Sequence, residues 1–270
     1  MWVAAMRGLA ELDDPAIVRD EFAADLLPFG YRSVLRVAHR VPSASRTVLR
    51  AVARASHNLS RHLAFRTRAI DDVVSMEADA GCDQLVLLGA GFDARAWRLP
   101  ALASTTVFEV DHPDTQASKR AGIGGRIPLA REVKWAPIDF ARETPALVLE
   151  RAGHDATRRT TFVWEGVTMY LAPEAIDATL AAVAGRAAKG SRLLMTYHDA
   201  EFRLELVMLT GMVRAAGEPF RTRLSQADVR ELLARYGFTV ETDEGSDDWS
   251  ERYLGESGYR SGERLASASR

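Results

Sequence analysis

A glycine turn, four carboxylates that follow apolar runs, and one arginine have the types and spacing to hold a nucleoside-sized ligand. In residues 84–99 an apolar run, Leu85–Leu88, breaks into Gly89-Ala90-Gly91. That reads as a buried strand entering a turn where backbone can approach a ligand closely. The loop then carries Asp93 and ends at Ala94 instead of a third glycine. Asp93 reads as the N-cap of the helix that follows. A helix start that caps itself with a carboxylate has neutralised its own anion site, which speaks against a pyrophosphate.

The carboxylates follow the same logic. Asp111 ends the apolar run Val107–Val110, about 20 residues past the turn, where an acid accepts from vicinal ribose hydroxyls. Glu109, two residues earlier, points to the same face; of the two, Asp111 is favoured for the ribose. Asp139-Phe140 after a third run offers an acceptor for an adenine amino group and an aromatic for its ring, or else a turn acid and a core aromatic. Glu165-Gly166 after a fourth run faces the cleft between sheet halves, suited to an ammonium group or a water. Buried there, Glu165 requires a partner. Arg66, in Phe-Arg-Thr-Arg-Ala-Ile-Asp-Asp, reads either as part of a solvated helix face with local ion pairs or as a guanidinium gripping a carboxylate. A nucleoside without phosphates, such as S-adenosylmethionine, suits this set. The turn also fits the G-x-G-x-x-A dinucleotide form, so a nicotinamide-dependent oxidoreductase stays open, as does a non-catalytic nucleoside-binding module.

These residues need a scaffold, and the chain's periodicity supplies one. Strands are predicted at 85–88, 107–110, 133–138, 161–164 and 192–197, with two more at 238–241 and 264–268. Pro137 assigns the third to a sheet edge. Helices lie between them, the best formed at 174–188, and Ser225 with Asp228 starts another that ends at Tyr236-Gly237. Alternating strands and helices make a parallel α/β sheet, with ligands at the carboxyl ends of the strands. Residues 1–80 read as a helical lid, with helices at 13–27, from Pro42, and from about Ser60 to a stop at Gly81. Residues 81–270 form the α/β domain, with a lid insertion near 200–223.

Bulk properties narrow the classes. The 270 residues suit one α/β domain with a cap, and a net charge of −2 speaks against nucleic acid or an anionic membrane. The single cysteine, Cys82, excludes an internal disulfide and reads as a core residue in a cytoplasmic protein. No apolar run is long enough to span a bilayer, and the first residues lack a signal-peptide pattern. The six histidines show no metal-ligand spacing and the turn is no nucleophile elbow.

Taken together, five ordered blocks resemble the leucine carboxyl methyltransferase family. They are Phe65–Asp71, Leu88–Arg95, Phe108–Asp111 with Pro113, Ile138–Phe140 and Glu165–Leu171. The resemblance implies a Rossmann-like class I methyltransferase sheet of order 3-2-1-4-5-7-6, its last strand antiparallel, beneath an N-terminal helical lid. It implies S-adenosylmethionine as cofactor and S-adenosylhomocysteine as product, held by Arg66, Gly89, Ala90, Gly91, Asp111, Asp139, Phe140 and Glu165. Arg66 becomes the clamp on the cofactor's carboxylate. His112 departs from the family pattern at the ribose edge.

The implied reaction is methyl transfer to an oxygen. A carboxylate acceptor needs no base, whereas a hydroxyl benefits from one. His198, following the fifth strand, is the candidate base or a structural histidine. Phe202, Leu206, Met208, Leu209, Met212 and Phe220 suggest an apolar pocket. The expected acceptor is therefore a small apolar molecule with a carboxyl or hydroxyl group, in natural-product metabolism. A protein C-terminal carboxylate is the alternative.

Overall fold

The structure is a computed structural model that describes residues 17, 18, 20, 22, 26, 57–140, 142–201, 220–258 and 261–270. The helices expected at 13–27 and from Pro42, and most of the insertion near 200–223, lie outside the described residues.

The described chain opens with α1 (His57–Asp79), β1 (Gln84–Leu88) and α2 (Arg95–Arg98). Next come β2 (Thr106–Asp111), α3 (Pro113–Ile123), β3 (Glu132–Pro137), α4 (Pro145–Arg151) and β4 (Thr161–Trp164). The remainder is α5 (Pro173–Arg186), β5 (Arg192–His198), α6 (Gln226–Arg235), β6 (Thr239–Glu244), α7 (Ser246–Leu254) and β7 (Glu263–Ser269). The seven strands make one sheet of order β3-β2-β1-β4-β5-β7-β6. All pairings are parallel except those of β7, which runs antiparallel to both β5 and β6. The sequence expectation for the sheet is met, including the edge position of β3.

Alternation along β1 builds both layers. Val86 and Leu88 join Phe108, Val110, Phe162, Leu180 and Leu233 on one face. Leu85 and Leu87 join Phe65, Ile70, Val107, Trp97 and Trp249 on the other. A strand buried on both faces has no polar side to spare, hence the continuous apolar run. α1 lies across one face, and its inward side chains reach the carboxyl end of β4 and the amino end of the antiparallel β7. Helix starts follow local chemistry: Ser225 and Asp228 form the expected capping box on α6. Gly81, at φ +85, accompanies the turn after α1.

Candidate functional site

The loops after β1, β2 and β4 meet at the carboxyl edge of the sheet. The N–H groups of Gly89 and Ala90 both donate to the Val110 carbonyl, at 2.8 and 3.1 Å, which ties the glycine turn to the end of β2. Gly89 has φ +67, and a Cβ there would stand 2.8 Å from Cγ2 of Val167. The first turn therefore packs directly on the turn after β4, a contact that only glycine permits. Gly91 has φ +48, and its missing Cβ would meet nothing nearer than the Gly89 carbonyl at 3.8 Å. Its outer side is open. The Gly91 N–H donates to Oδ2 of Asp111.

Glu109 and Asp111 share a face of β2 but not an environment. Glu109 is fully buried and takes a 2.6 Å hydrogen bond from Nζ of Lys119, which lies over the rings of Trp97 and Trp135. Burial pushes its pKa up to about 7, with Lys119 offsetting part of the effect. Asp111 sits at the rim, partly exposed, so it is the acid of the two that faces the cleft. Asp139 follows β3 and its carboxylate is 3.4 Å from Nε of Arg142. Phe140 is 52% exposed, which overturns its reading as a core aromatic. His112 caps α3, accepting from the Asp114 N–H at 3.3 Å.

The other half of the edge is a chain of buried ion pairs. Glu165, just past β4, accepts from Nε of Arg66 at 2.9 Å and from Nη1 of Arg95 at 2.7 Å. Arg66 also donates from Nη1 to Glu263 at 2.6 and 2.8 Å. Arg95, fully buried, donates from Nε to Asp71 at 2.7 Å and pairs with Asp93. Arg98 adds a second guanidinium to Asp71 at 2.8 Å. At the far end, Glu263 and Ser246 hold the two ring nitrogens of His62 at 2.9 and 2.7 Å. Ser, His and Glu thus stand in line, but all three are buried, so the row braces α1 against β7 and α7.

Electrostatics follow from that enclosure. Burial alone would lower the Arg66 pKa, but Glu263 and Glu165 raise it above its ordinary value. Burial would raise the Glu263 carboxyl, yet Arg66 and His62 hold it well below the carboxylate range. The pairing expected of a buried Glu165 is thus present twice over. Arg66 is no solvated residue either. The stretch divides by face: Arg68 and Asp72 form the exposed pair at 2.7 Å, while Arg66 and Asp71 point inward. Asp93 is one residue removed from its expected place. The N-cap of α2 is Ala94, and Asp93 accepts the Arg95 N–H at 2.8 Å from the turn before it.

His198 ends β5 opposite Glu263, ring to ring with Phe220 at 4.8 Å; Phe220 in turn lies 5.6 Å from Tyr170. Burial lowers its pKa to about 4, so the imidazole is neutral near pH 7. Its Nδ1 is buried with no hydrogen-bond partner among the described residues.

A model of the leucine carboxyl methyltransferase family matches residues 1–184. The chain belongs to the leucine carboxyl methyltransferase family. Curated relatives agree: a provisionally named S-adenosyl-L-methionine-dependent methyltransferase of Mycolicibacterium gilvum is 38% identical over 63% of this chain and 54% of its own length. Another so named, from Mycolicibacterium smegmatis, is 32% identical over 91% of this chain and 82% of its own. The matches to the first relatives span 54% and 64% of those proteins' lengths. Among solved structures, a DUF574 family protein of Streptomyces avermitilis has a TM-score of 0.61 at 17% identity, covering 84% of this chain and 91% of that one. Mitomycin 7-O-methyltransferase has a TM-score of 0.52 at 17% identity, covering 94% and 76%. These two share the fold.

Within this family member the structure brings Arg66, Glu165, Gly89, Ala90, Gly91 and Asp111 to one edge, with Asp139 and Phe140 after β3 beyond them. Sequence reasoning missed Glu263, His62 and Arg95. Glu263 lies 197 residues from Arg66, and no local spacing signals such a pair. Arg95 carried a signal, being a strong base directly after the turn that holds Asp93. Cys82 is buried with Sγ 3.4 Å from the Arg159 carbonyl, a core residue as expected. No group of three or more metal-ligating side chains occurs among the described residues, and no described helix is long and apolar enough to cross a membrane.

Proposed function

We propose that this protein is an S-adenosylmethionine-dependent O-methyltransferase for a carboxyl or hydroxyl group on a small apolar molecule, acting in the cytoplasm in natural-product metabolism. The observation that carries the reading is the Arg66–Glu165 pair directly under Gly166, whose missing Cβ would lie 3.6 Å from Arg66. A zwitterion with one carboxylate and one ammonium group is complementary to such a pair. The open side of Gly91 leaves room for the ligand's backbone approach, and rim Asp111 supplies a ribose acceptor. The residues therefore fit the cofactor. When bound, it supplies an electrophilic methyl group on a sulfonium.

The chain's own part is positioning. Arg66 and Glu165 fix the amino-acid end, Asp111 the ribose, and Asp139 with Phe140 the base. Thr196 accepts the Gly166 N–H at 2.7 Å, and the Thr168 hydroxyl donates to the Thr196 carbonyl at 2.6 Å, which sets the second turn. Holding donor and acceptor at about 3–3.5 Å removes most of the entropic barrier. Neutral His198 can take a proton from a hydroxyl acceptor, with Phe220 and Tyr170 offering an apolar wall. A carboxylate acceptor would leave His198 a hydrogen-bonding role.

Calorimetric titration with S-adenosylmethionine, S-adenosylhomocysteine and NADH tests the cofactor. Micromolar binding of the two sulfur nucleosides without NADH is expected; NADH alone would overturn the reading. Methyl transfer to matched aryl alcohols and acids then tests the acceptor class.

A further inference from the structure

We infer that Glu263 links the two ends of the site, so that filling the Arg66 clamp is felt at the His198 imidazole. Glu263 is then a positioning residue, acting through Arg66 and His198. The inference rests on the proposed readings of Arg66 as the clamp on the cofactor's carboxylate and of His198 as the base.

The geometry comes first. Glu263 opens β7 directly opposite His198, the last residue of β5, in the antiparallel register. Residues paired in this way point to one face, with Cβ atoms about 4.5–5.5 Å apart. That face is the α1 side, because Leu194 and Leu265, in the same alternation on the same two strands, pack with Phe65 and Ile70 of α1. Arg66 gives Glu263 two hydrogen bonds from Nη1, at 2.6 and 2.8 Å, while its other edge holds Glu165. Nε2 of His62, one turn earlier on α1, lies 2.9 Å from the same Glu263 carboxylate. Glu263, His198, Arg66 and His62 are each no more than 6% exposed. Little water screens them from one another, so charge at one is felt at the next.

The groups that face His198 among the described residues are Glu263 from β7, His62 from α1, Arg223 from the segment before α6, and Asp199 next in the chain. Burial lowers the imidazole's pKa to about 4, and Glu263 is the largest influence against burial. Its carboxylate is partly offset by Arg66. A ligand carboxylate on Arg66 takes a share of that guanidinium, since one planar fork cannot serve three carboxylates as closely as two. Glu263 is then less offset, and the ligand's own carboxylate adds in the same sense. An ammonium group on Glu165 acts in the opposite sense, but from the far side of Arg66. The imidazolium that forms when His198 takes a proton from a hydroxyl acceptor is therefore better held once the amino-acid end is occupied. An empty clamp leaves His198 a weaker base.

The test follows the ring signals of His198 by NMR as pH is varied, the signals being assigned by their loss in His198→Gln. Ligands are added at saturation, checked by calorimetry. In wild type, S-adenosylhomocysteine is expected to raise the His198 midpoint by about half a pH unit or more. Methylthioadenosine, which keeps the adenosine and thioether but has no amino-acid end, is expected to leave it in place. In Glu263→Gln the midpoint should start lower, and S-adenosylhomocysteine should move it by less than about 0.2 pH unit. No rise in wild type, an equal rise with methylthioadenosine, or an undiminished rise in Glu263→Gln would overturn the inference and leave Glu263 a structural brace. Should Glu263→Gln fail to fold or to bind, Glu263→Asp draws the charge back from Arg66 and is expected to at least halve the rise; an undiminished rise there overturns the inference equally. Failure of wild type to bind S-adenosylhomocysteine would overturn the cofactor reading itself, and this inference with it.

Discussion

The two halves of the sheet's carboxyl edge are built on opposite principles. On the β4–β5–β7 side, charges are paired, buried and cross-linked over nearly 200 residues of sequence, as Arg66 and Glu263 are. On the β2–β3 side, Asp111, Asp139 and Phe140 stand partly or largely open, with Phe140 52% exposed. A buried charge must be satisfied before any ligand arrives, because leaving it bare costs several kcal/mol. An open acid or aromatic can wait for its partner at little cost, since water serves in the meantime. The first half is therefore held in place by its own pairing, and the second is left in contact with solvent.

That contrast can be broken most forcefully at Arg95. Its guanidinium touches Asp71, Asp93 and Glu165 with no exposure. Arg95→Ala leaves three carboxylates short of a partner and is expected to cost about 3–5 kcal/mol in urea unfolding. A loss below about 1 kcal/mol would mean the row is solvated. Next comes Arg66→Ala, expected to weaken cofactor binding by about 2–3 kcal/mol in calorimetry. Unchanged affinity would remove Arg66 from the binding site. Gly89→Ala should destabilise by about 1–3 kcal/mol, since it combines φ +67 with a Cβ 2.8 Å from Val167. Val167→Ala in that background should recover part of the loss.

On the open half, Asp111→Asn should leave the thermal midpoint within a few degrees and weaken nucleoside binding by about 1 kcal/mol. A large fall in stability would show that Asp111 holds the Gly91 turn before anything else.

Acidity offers the gentlest probe. Burial lowers both His198 and His154 from 6.5 to about 4. Between those values the unfolded chain binds more protons, so the stability these neutral histidines contribute is present above pH 6.5 and lost as pH falls toward 4. The urea midpoint should drop across that window. His198→Gln should flatten part of the slope, and an unaltered slope would mean that His198 titrates normally.

Much of this was legible before any coordinates. The order of apolar runs and punctuation determined the sheet, because a doubly buried strand must be apolar on both faces and a parallel connection must carry a helix. Gly89, Gly91, Asp111 and Glu165 were legible for a related reason: each follows a strand, and ligand-facing residues in such sheets sit where strands end. Asp93 was read one position off because a four-residue helix has too few periodic residues to fix its own start. Glu109 and Asp111 could only be ranked, since two residues on one strand face look alike until Lys119 and the rings of Trp97 and Trp135 are seen to close over one of them.

The sequence by itself determined the succession of strands and helices along the chain and the turns between them, since these depend on local patterns, and its motif blocks carried the family resemblance that implied the order of strands in the sheet. Only the tertiary structure decided which charges neutralise which. Arg66 could have faced solvent or a ligand; it faces Glu165 and Glu263, from opposite parts of the chain. Ion pairing acts through distance in space and burial from water, and neither is written in residue spacing.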